Sequence, residues 1–205
     1  MNQKTKLLRE GRAALAAESA AIAALQEQLD ESFIQALDAI LTCQGHVIVS
    51  GAGTSAAVAH RLAHVLTCAG APSLYLDAGE SAHGGAAAVL PKDVVFGISR
   101  GGETDELNTL VRAAQHRGAK VISLTENQDS TMAGLSDVVL SIKVDRSVDG
   151  HGVIALGSSL AAAAVGDALV FALLSVREWD EAAFLEVHPG GAVGKKLRRT
   201  DSADS

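Results

Sequence analysis

Two short stretches hold residue types that could do chemistry together. In GAGTSA, residues 51–56, glycines let another group approach the backbone closely, while Thr54 and Ser55 add hydroxyls. In SRGGETDEL, residues 99–107, Ser99, Gly101, Gly102 and Thr104 repeat that composition around Glu103 and Asp105. Small residues opening a helix present backbone N–H groups to an anion, and the helix macrodipole adds a favourable field. Gly53, Thr54, Ser55, Ser99, Gly102 and Thr104 are therefore candidate phosphate ligands, with Ser55 also placed to cap its helix. Arg100 could grip phosphate oxygens with two parallel N–H groups, or point into solvent as exposed loop arginines do. Glu103 stands beside the second turn as a candidate general base, with a pKa expected to be raised by partial burial. Asp105 reads as an ordinary acid in a first helical turn.

Other templates compete for the same residues. Gly51, Gly53 and Ala56 match the dinucleotide fingerprint G-x-G-x-x-G/A, and Asp77 lies about 20 residues on, where that fingerprint places its ribose-binding acid. A turn that holds no ligand is a further possibility, because glycine suits tight strand-to-helix connections anyway. Two such turns on neighbouring strands are more specific than one, and they favour a compact phosphorylated ligand over a dinucleotide. Among seven histidines, His60 and His64 have metal-capable i, i+4 spacing, but no Glu follows His60, and both read as ordinary helix residues. His46 and His116 look structural, whereas His151 and Asp149, in VDGHGV after the last strand, are site candidates.

Loops of this kind need a scaffold, and the pattern of the chain supplies it. Residues 4–43 read as two helices broken near LDES, residues 29–32. Apolar runs at 46–50, 73–76, 93–99, 120–125 and 137–143 then alternate with helical stretches at 55–69, 103–117 and 130–136, followed by a long Ala-rich helix over 156–177. The runs lack strict polar alternation, as expected of strands covered on both faces. Five strands with intervening helices predict an α/β fold, a three-layer doubly wound sandwich around a parallel sheet, with its ligand at the carboxyl ends of the strands.

The 205 residues suit one sizeable domain, 48% hydrophobic but only 3% aromatic, so its core is built from Ala, Val, Leu and Ile. A formal charge of −7 and a pI near 5.4 exclude the basic footprint that nucleic acid or an anionic membrane surface requires. Cys43 and Cys68 are expected to be buried thiols within helices. The N-terminal residues are interspersed with charge and lack an apolar run of spanning length, so a cytoplasmic location is expected.

The series GAGTS, AGESAHGG, ISRGGETDE, GDALVFALL and HPGGAVGKKL resembles the sugar isomerase (SIS) domain, and more narrowly the arabinose-5-phosphate isomerase group, over residues 30–197. HPGG-x-x-G-K/R-x-L, starting at His188, is its most specific element. The resemblance implies a five-stranded parallel sheet in flavodoxin-like order. N-terminal helices over 1–45 would pack on the domain and take part in oligomerisation, the SIS domain would span 46–197, and a polar tail would fill 198–205. It implies that Ser55, Ser99 and Thr104 hold a sugar phosphate, that Glu103 and His188 act in catalysis, and that His83 lines the site. It implies a homotetramer with sites shared between chains. Family members often carry a pair of regulatory domains beyond HPGG, which this sequence does not include. Other departures are Thr54 where relatives place lysine, Arg100 and Gly101 in a loop that usually reads S-N-S-G-E, and no match for a further glutamate, Asp149 being the nearest acid.

The expected reaction is aldose–ketose interconversion of an open-chain sugar phosphate through a cis-enediol. Glu103 would move the proton alpha to the carbonyl, and His188 would open the ring or shuttle protons between oxygens. No redox cofactor is required and no metal is expected, although His83 could hold zinc. A non-catalytic phosphosugar sensor or regulator fits the missing lysine and glutamate. A phosphosugar lyase or etherase could use the same enolisation, and the dinucleotide fingerprint keeps an NAD-dependent dehydrogenase as a further alternative.

Overall fold

A computed structural model describes residues 2–177 and residue 184. Helix α1 (Gln3–Ala23) starts at the Asn2 cap, and α2 (Glu31–Leu41) starts at Asp30, whose carboxylate accepts from Ser32 N at 2.9 Å. That cap is the break anticipated near LDES. Strands β1 (Val47–Gly51), β2 (Ser73–Tyr75), β3 (Val94–Ile98), β4 (Lys120–Thr125) and β5 (Val138–Ser141) form one parallel sheet in the order β2-β1-β3-β4-β5. The expected doubly wound order is therefore the one observed. Between the strands run α3 (Thr54–Cys68), α4 (Ala78–Ala82), α5 (Asp105–His116) and α6 (Thr131–Gly134), and α7 (Gly157–Val176) follows the last strand. Helix α4 and the three short 3-10 turns are too brief for periodicity to announce, and the sequence reading contains none of them.

Alternation along the strands sends side chains to two cores. Val47, Val49, Phe96, Ile98, Ile122 and Leu124 join α2, α3 and α7 on one face. Ile48, Val95 and Val121 join Leu107, Leu110, Val111 of α5 and Met132 of α6 on the other. Helix α7 is long and apolar enough to cross a membrane by length and composition, as core helices of α/β domains can be. Ala161, Val165, Leu169 and Leu173 are buried in the core it shares with α3, and a Cβ on Gly166 would lie 3.0 Å from Leu62 Cδ1. Small residues let the two helices approach closely. Cys43 and Cys68 are half-buried rather than buried, and Cys43 lies just beyond α2, with its Sγ 3.6 Å from the Lys92 carbonyl.

Strand order decides where a ligand can sit. Successive connections from β1 run to opposite sides, toward β2 on one and β3 on the other, leaving a crevice above the carboxyl ends of β1 and β3. This is the topological switch point of the fold, where open α/β sheets bind small molecules. The turns after those two strands are the two stretches 51–56 and 99–107.

Candidate functional site

The first turn is dictated by contact. A Cβ on Gly51 would lie 2.9 Å from the Ser55 backbone and 3.0 Å from the Ile98 carbonyl, so β1 ends pressed between α3 and β3. Gly53 follows at φ 57° and ψ −127°, a conformation essentially reserved for glycine, and is itself the cap residue of α3. Ser55 lies inside the helix and does not cap it, because the helix starts one residue earlier, at Thr54. No side chain caps α3; Ser55 N and Ala56 N donate back to the Ala52 and Gly53 carbonyls at 3.1 Å, and Thr54 and Ser55 place the helix start in the wall of the crevice.

The second turn is tied more tightly. Ser99 is buried; its hydroxyl accepts from Gly102 N at 3.1 Å and stands 3.1 Å from Thr104 Oγ1. Gly102 at φ 70° receives Asn108 Nδ2 on its carbonyl at 3.2 Å, and a Cβ there would overlap Ser130. Thr104 opens α5 without capping it through its own side chain.

A cleft open to solvent adjoins these turns. Its walls include Thr54 and Ser55 of α3, Arg100, Thr125 and Glu126 at the end of β4, and Ser158 and Ser159 at the start of α7. Ser99 and Thr104 lie beside it, bonded to each other, and are not among its walls.

Arg100 does not point into solvent. Its Nη1 donates to Asp149 Oδ2, its Nε stands 3.0 Å from Glu126 Oε2, and its carbonyl accepts from Glu126 N at 2.9 Å and Thr125 Oγ1 at 3.0 Å. Asp149 is buried, and its other oxygen accepts from Leu156 N and Ser158 N, both at 3.0 Å. Burial pushes the Asp149 carboxyl up, but hydrogen bonds from Ser158 and the charge of Arg100 outweigh that and hold it below the usual carboxylate range. Asp149 therefore braces the start of α7 from behind the cleft and does not line it.

Glu103 corrects its expectation. It is exposed, precedes α5 rather than lying in its first turn, and accepts from Thr131 N at 2.8 Å, tying the second turn to α6. Hydrogen bonding from Thr131 keeps its pKa below the ordinary value, the opposite of the rise expected from burial. His83 is exposed at the end of α4, and His151, also exposed, adopts φ 55° in the turn before α7; neither lines the cleft. His188 and the HPGG element lie outside the described residues.

The rival templates meet concrete obstacles. Asp77 caps α4, accepting from Glu80 N at 3.1 Å and from Tyr75 Oη at 3.1 Å, which is a structural use for the acid that the dehydrogenase reading assigns to a ribose. His60 stacks on Tyr75 with ring centroids 3.6 Å apart, while His64 Nε2 stands 3.7 Å from Cys68 Sγ, so the two rings serve different contacts. Among the described residues no three His, Cys, Asp or Glu side chains gather as a metal site.

Sequence reasoning missed Glu126, Thr125, Ser158 and Ser159. Glu126 directly follows a predicted strand, and GSS opens the final helix; both positions belong to the carboxyl edge of the sheet and could have been singled out on that ground.

The family model described as SIS domain matches residues 40–172. The arabinose 5-phosphate isomerase KpsF of Escherichia coli is 35% identical over 192 residues, which cover 93% of this chain and 59% of KpsF. This chain thus spans less than two thirds of that relative's length. A protein of E. coli CFT073 solved in complex with arabinose 5-phosphate superposes with a TM-score of 0.87 at 30% identity, covering 92% of this chain and 100% of that one. The sugar isomerase domain of an RpiR transcription factor from Sphaerobacter thermophilus superposes at 0.70 with 27% identity, covering 94% of this chain and 98% of that one.

Proposed function

Because the chain belongs to the SIS domain family, we propose that it is a phosphosugar isomerase that interconverts an aldose phosphate and a ketose phosphate through a cis-enediol, in the manner of arabinose-5-phosphate isomerases. The observation that carries this reading is the pair of hydroxyl-bearing turns, 51–56 and 99–104, on the adjacent strands β1 and β3 at the switch point. Backbone N–H groups at Gly53 and at the starts of α3 and α5, which no side chain caps, hold the phosphate together with the hydroxyls of Thr54, Ser55, Ser99 and Thr104, while Gly102 N braces the second turn through Ser99 Oγ. Binding the phosphate away from the reacting carbons fixes the open-chain sugar for proton transfer.

Glu103 is the base in this proposal. Its carboxylate is exposed and so open to a ligand beside the second turn. His188 and His83 assist at the sugar oxygens. Sites shared between copies would complete the arrangement, with self-association through the N-terminal helices. Helix α1 has no buried residue and exposes Leu7, Leu8 and Leu15, an apolar face suited to a homotetramer contact.

A regulatory reading has one specific support. Thr54 stands at the place of the family lysine, and the acid nearest to the missing glutamate, Asp149, is occupied by Arg100 and two amides. NMR of arabinose 5-phosphate and a panel of hexose phosphates in D2O separates the two readings. The isomerase should exchange the alpha proton and produce the ketose, and Glu103→Gln should lower kcat by about 100-fold or more. Full turnover by Glu103→Gln would remove the base assignment. Binding without exchange by the wild type would favour the regulator.

A further inference from the structure

Glu126 is the single carboxylate among the described residues of the cleft wall. Its backbone is fixed: Glu126 N donates to the Arg100 carbonyl at 2.9 Å, and that carbonyl also accepts from Thr125 Oγ1 at 3.0 Å. Its side chain is 22% exposed and meets Arg100 through a charge contact, Oε2 standing 3.0 Å from Nε. Arg100 is held from its other end, where Nη1 donates to the buried Asp149. Asp149 is in turn fixed by Leu156 N and Ser158 N. A chain of three charged side chains thus runs from the start of α7 to the cleft.

The contact between Arg100 and Glu126 orients the carboxylate without consuming it. Nε and Nη2 lack a hydrogen-bond partner, so this edge of the guanidinium does not form the two-pronged pair that would occupy both carboxylate oxygens. The acceptor sites of Glu126 therefore stay available to a ligand in the cleft. No other described residue of that wall can exchange a proton near neutrality. The remaining polar groups there are the hydroxyls of Thr54, Ser55, Thr125, Ser158 and Ser159 and a guanidinium that keeps its proton.

We propose that Glu126 carries the hydroxyl proton between the two oxygens of the enediol, with Arg100 and Asp149 as its positioning residues. This rests on the isomerase reading. Aldose–ketose interconversion moves two protons, one between the carbonyl carbon C1 and its neighbour C2, the other between their oxygens. Glu103 takes the proton from C2 while the C1 oxygen gains the carbonyl electron pair, giving an enediolate with its charge on O1. Glu126 accepts the proton of the C2 hydroxyl and passes it to O1, which leaves the charge on O2. The C2–O2 double bond then forms, C1 takes back the proton from Glu103, and both carboxylates return to their starting state. The oxygens of a cis-enediol lie side by side, so one fixed carboxylate reaches both. Ring opening is left to His188.

NMR in D2O, on whichever of arabinose 5-phosphate and the hexose phosphates the wild type turns over, reads two rates at once. One is deuterium entry at C2 of the recovered aldose, the other formation of the ketose. Glu126→Gln should slow ketose formation by about 100-fold, with sugar phosphate affinity in titration calorimetry changed less than about threefold. Removal of the C2 proton and its return do not need Glu126, so the ratio of exchange to isomerisation should rise about tenfold or more. Glu103→Gln should depress both rates together. Glu126→Asp keeps the charge but withdraws it by one methylene; it should raise the same ratio by a smaller factor and serves if the glutamine variant folds poorly. Arg100→Met and Asp149→Asn should raise the ratio as well, a change that mere loss of packing does not produce. An unchanged ratio in both would remove their positioning role. Full turnover by Glu126→Gln, or an equal loss of both rates, would overturn the proposal and leave the isomerase reading in place. A wild type that isomerises none of these sugars would remove both.

Discussion

Gly102→Ala is expected to lower the melting temperature by roughly 10 °C, since each kcal/mol is worth about 2–4 °C in a chain of this size. The residue sits at φ 70°, and an added Cβ would lie 2.0 Å from Ser130 Oγ and 2.4 Å from Ser130 Cβ. Left-handed backbone costs alanine about 1–2 kcal/mol, and forcing a methyl into an occupied space costs about 1–3 kcal/mol more. Ser130 cannot yield cheaply, because its hydroxyl bonds the Asn127 carbonyl at 2.7 Å and caps α6. The neighbouring substitution Gly101→Ala is the control: nothing lies within 4 Å of its Cβ position, and the melting temperature should hardly move. Differential scanning calorimetry of both variants checks this, and equal melting points would mean that the second turn is not packed as described.

Asp149→Ala should destabilise the fold by about 3 kcal/mol in urea denaturation, the range seen when one partner of a buried ion pair is removed. Asp149 is only 3% exposed and serves Arg100, Leu156 N and Ser158 N at once, so its loss leaves a guanidinium short of charge and a helix start without its acceptor. The double variant with Arg100→Met should cost less than the sum of the single changes. The same residue contributes to acid sensitivity. A carboxyl with a folded pKa below its unfolded value of about 3.9 gives its full stabilisation above that value and loses it as pH falls through the folded one. Wild-type stability should accordingly decline below about pH 4, and Asp149→Asn should flatten the decline. Glu103, Asp30, Asp77 and Asp145 are shifted in the same direction and add to the slope.

The scaffold was readable because its signals are local. Uninterrupted apolar runs such as DVVFGIS mark strands covered on both faces, Asp30 announces a helix start, and glycines mark the turns after β1 and β3. Partnerships formed across the fold left no such trace. Arg100 meets Asp149 from 49 residues away, and nothing in SRGGE indicates that its charge will be answered from behind α7. The pKa of Glu103 escapes the sequence for a related reason: its proximity to a phosphate-type turn says nothing about Thr131 N, 28 residues on, which takes its carboxylate. Glu126 drew no notice because a carboxylate after a strand is commonplace until the sheet order brings it opposite Arg100.

A crystal of the protein soaked with arabinose 5-phosphate shows whether the turns after β1 and β3 hold one phosphate between them. A single phosphate is expected within hydrogen-bond reach of Ser55 on one side and of Ser99 or Thr104 on the other, with the sugar extending toward Arg100 and Glu126. A phosphate seated on Arg100 and the start of α7, or one that touches only a single turn, would contradict it.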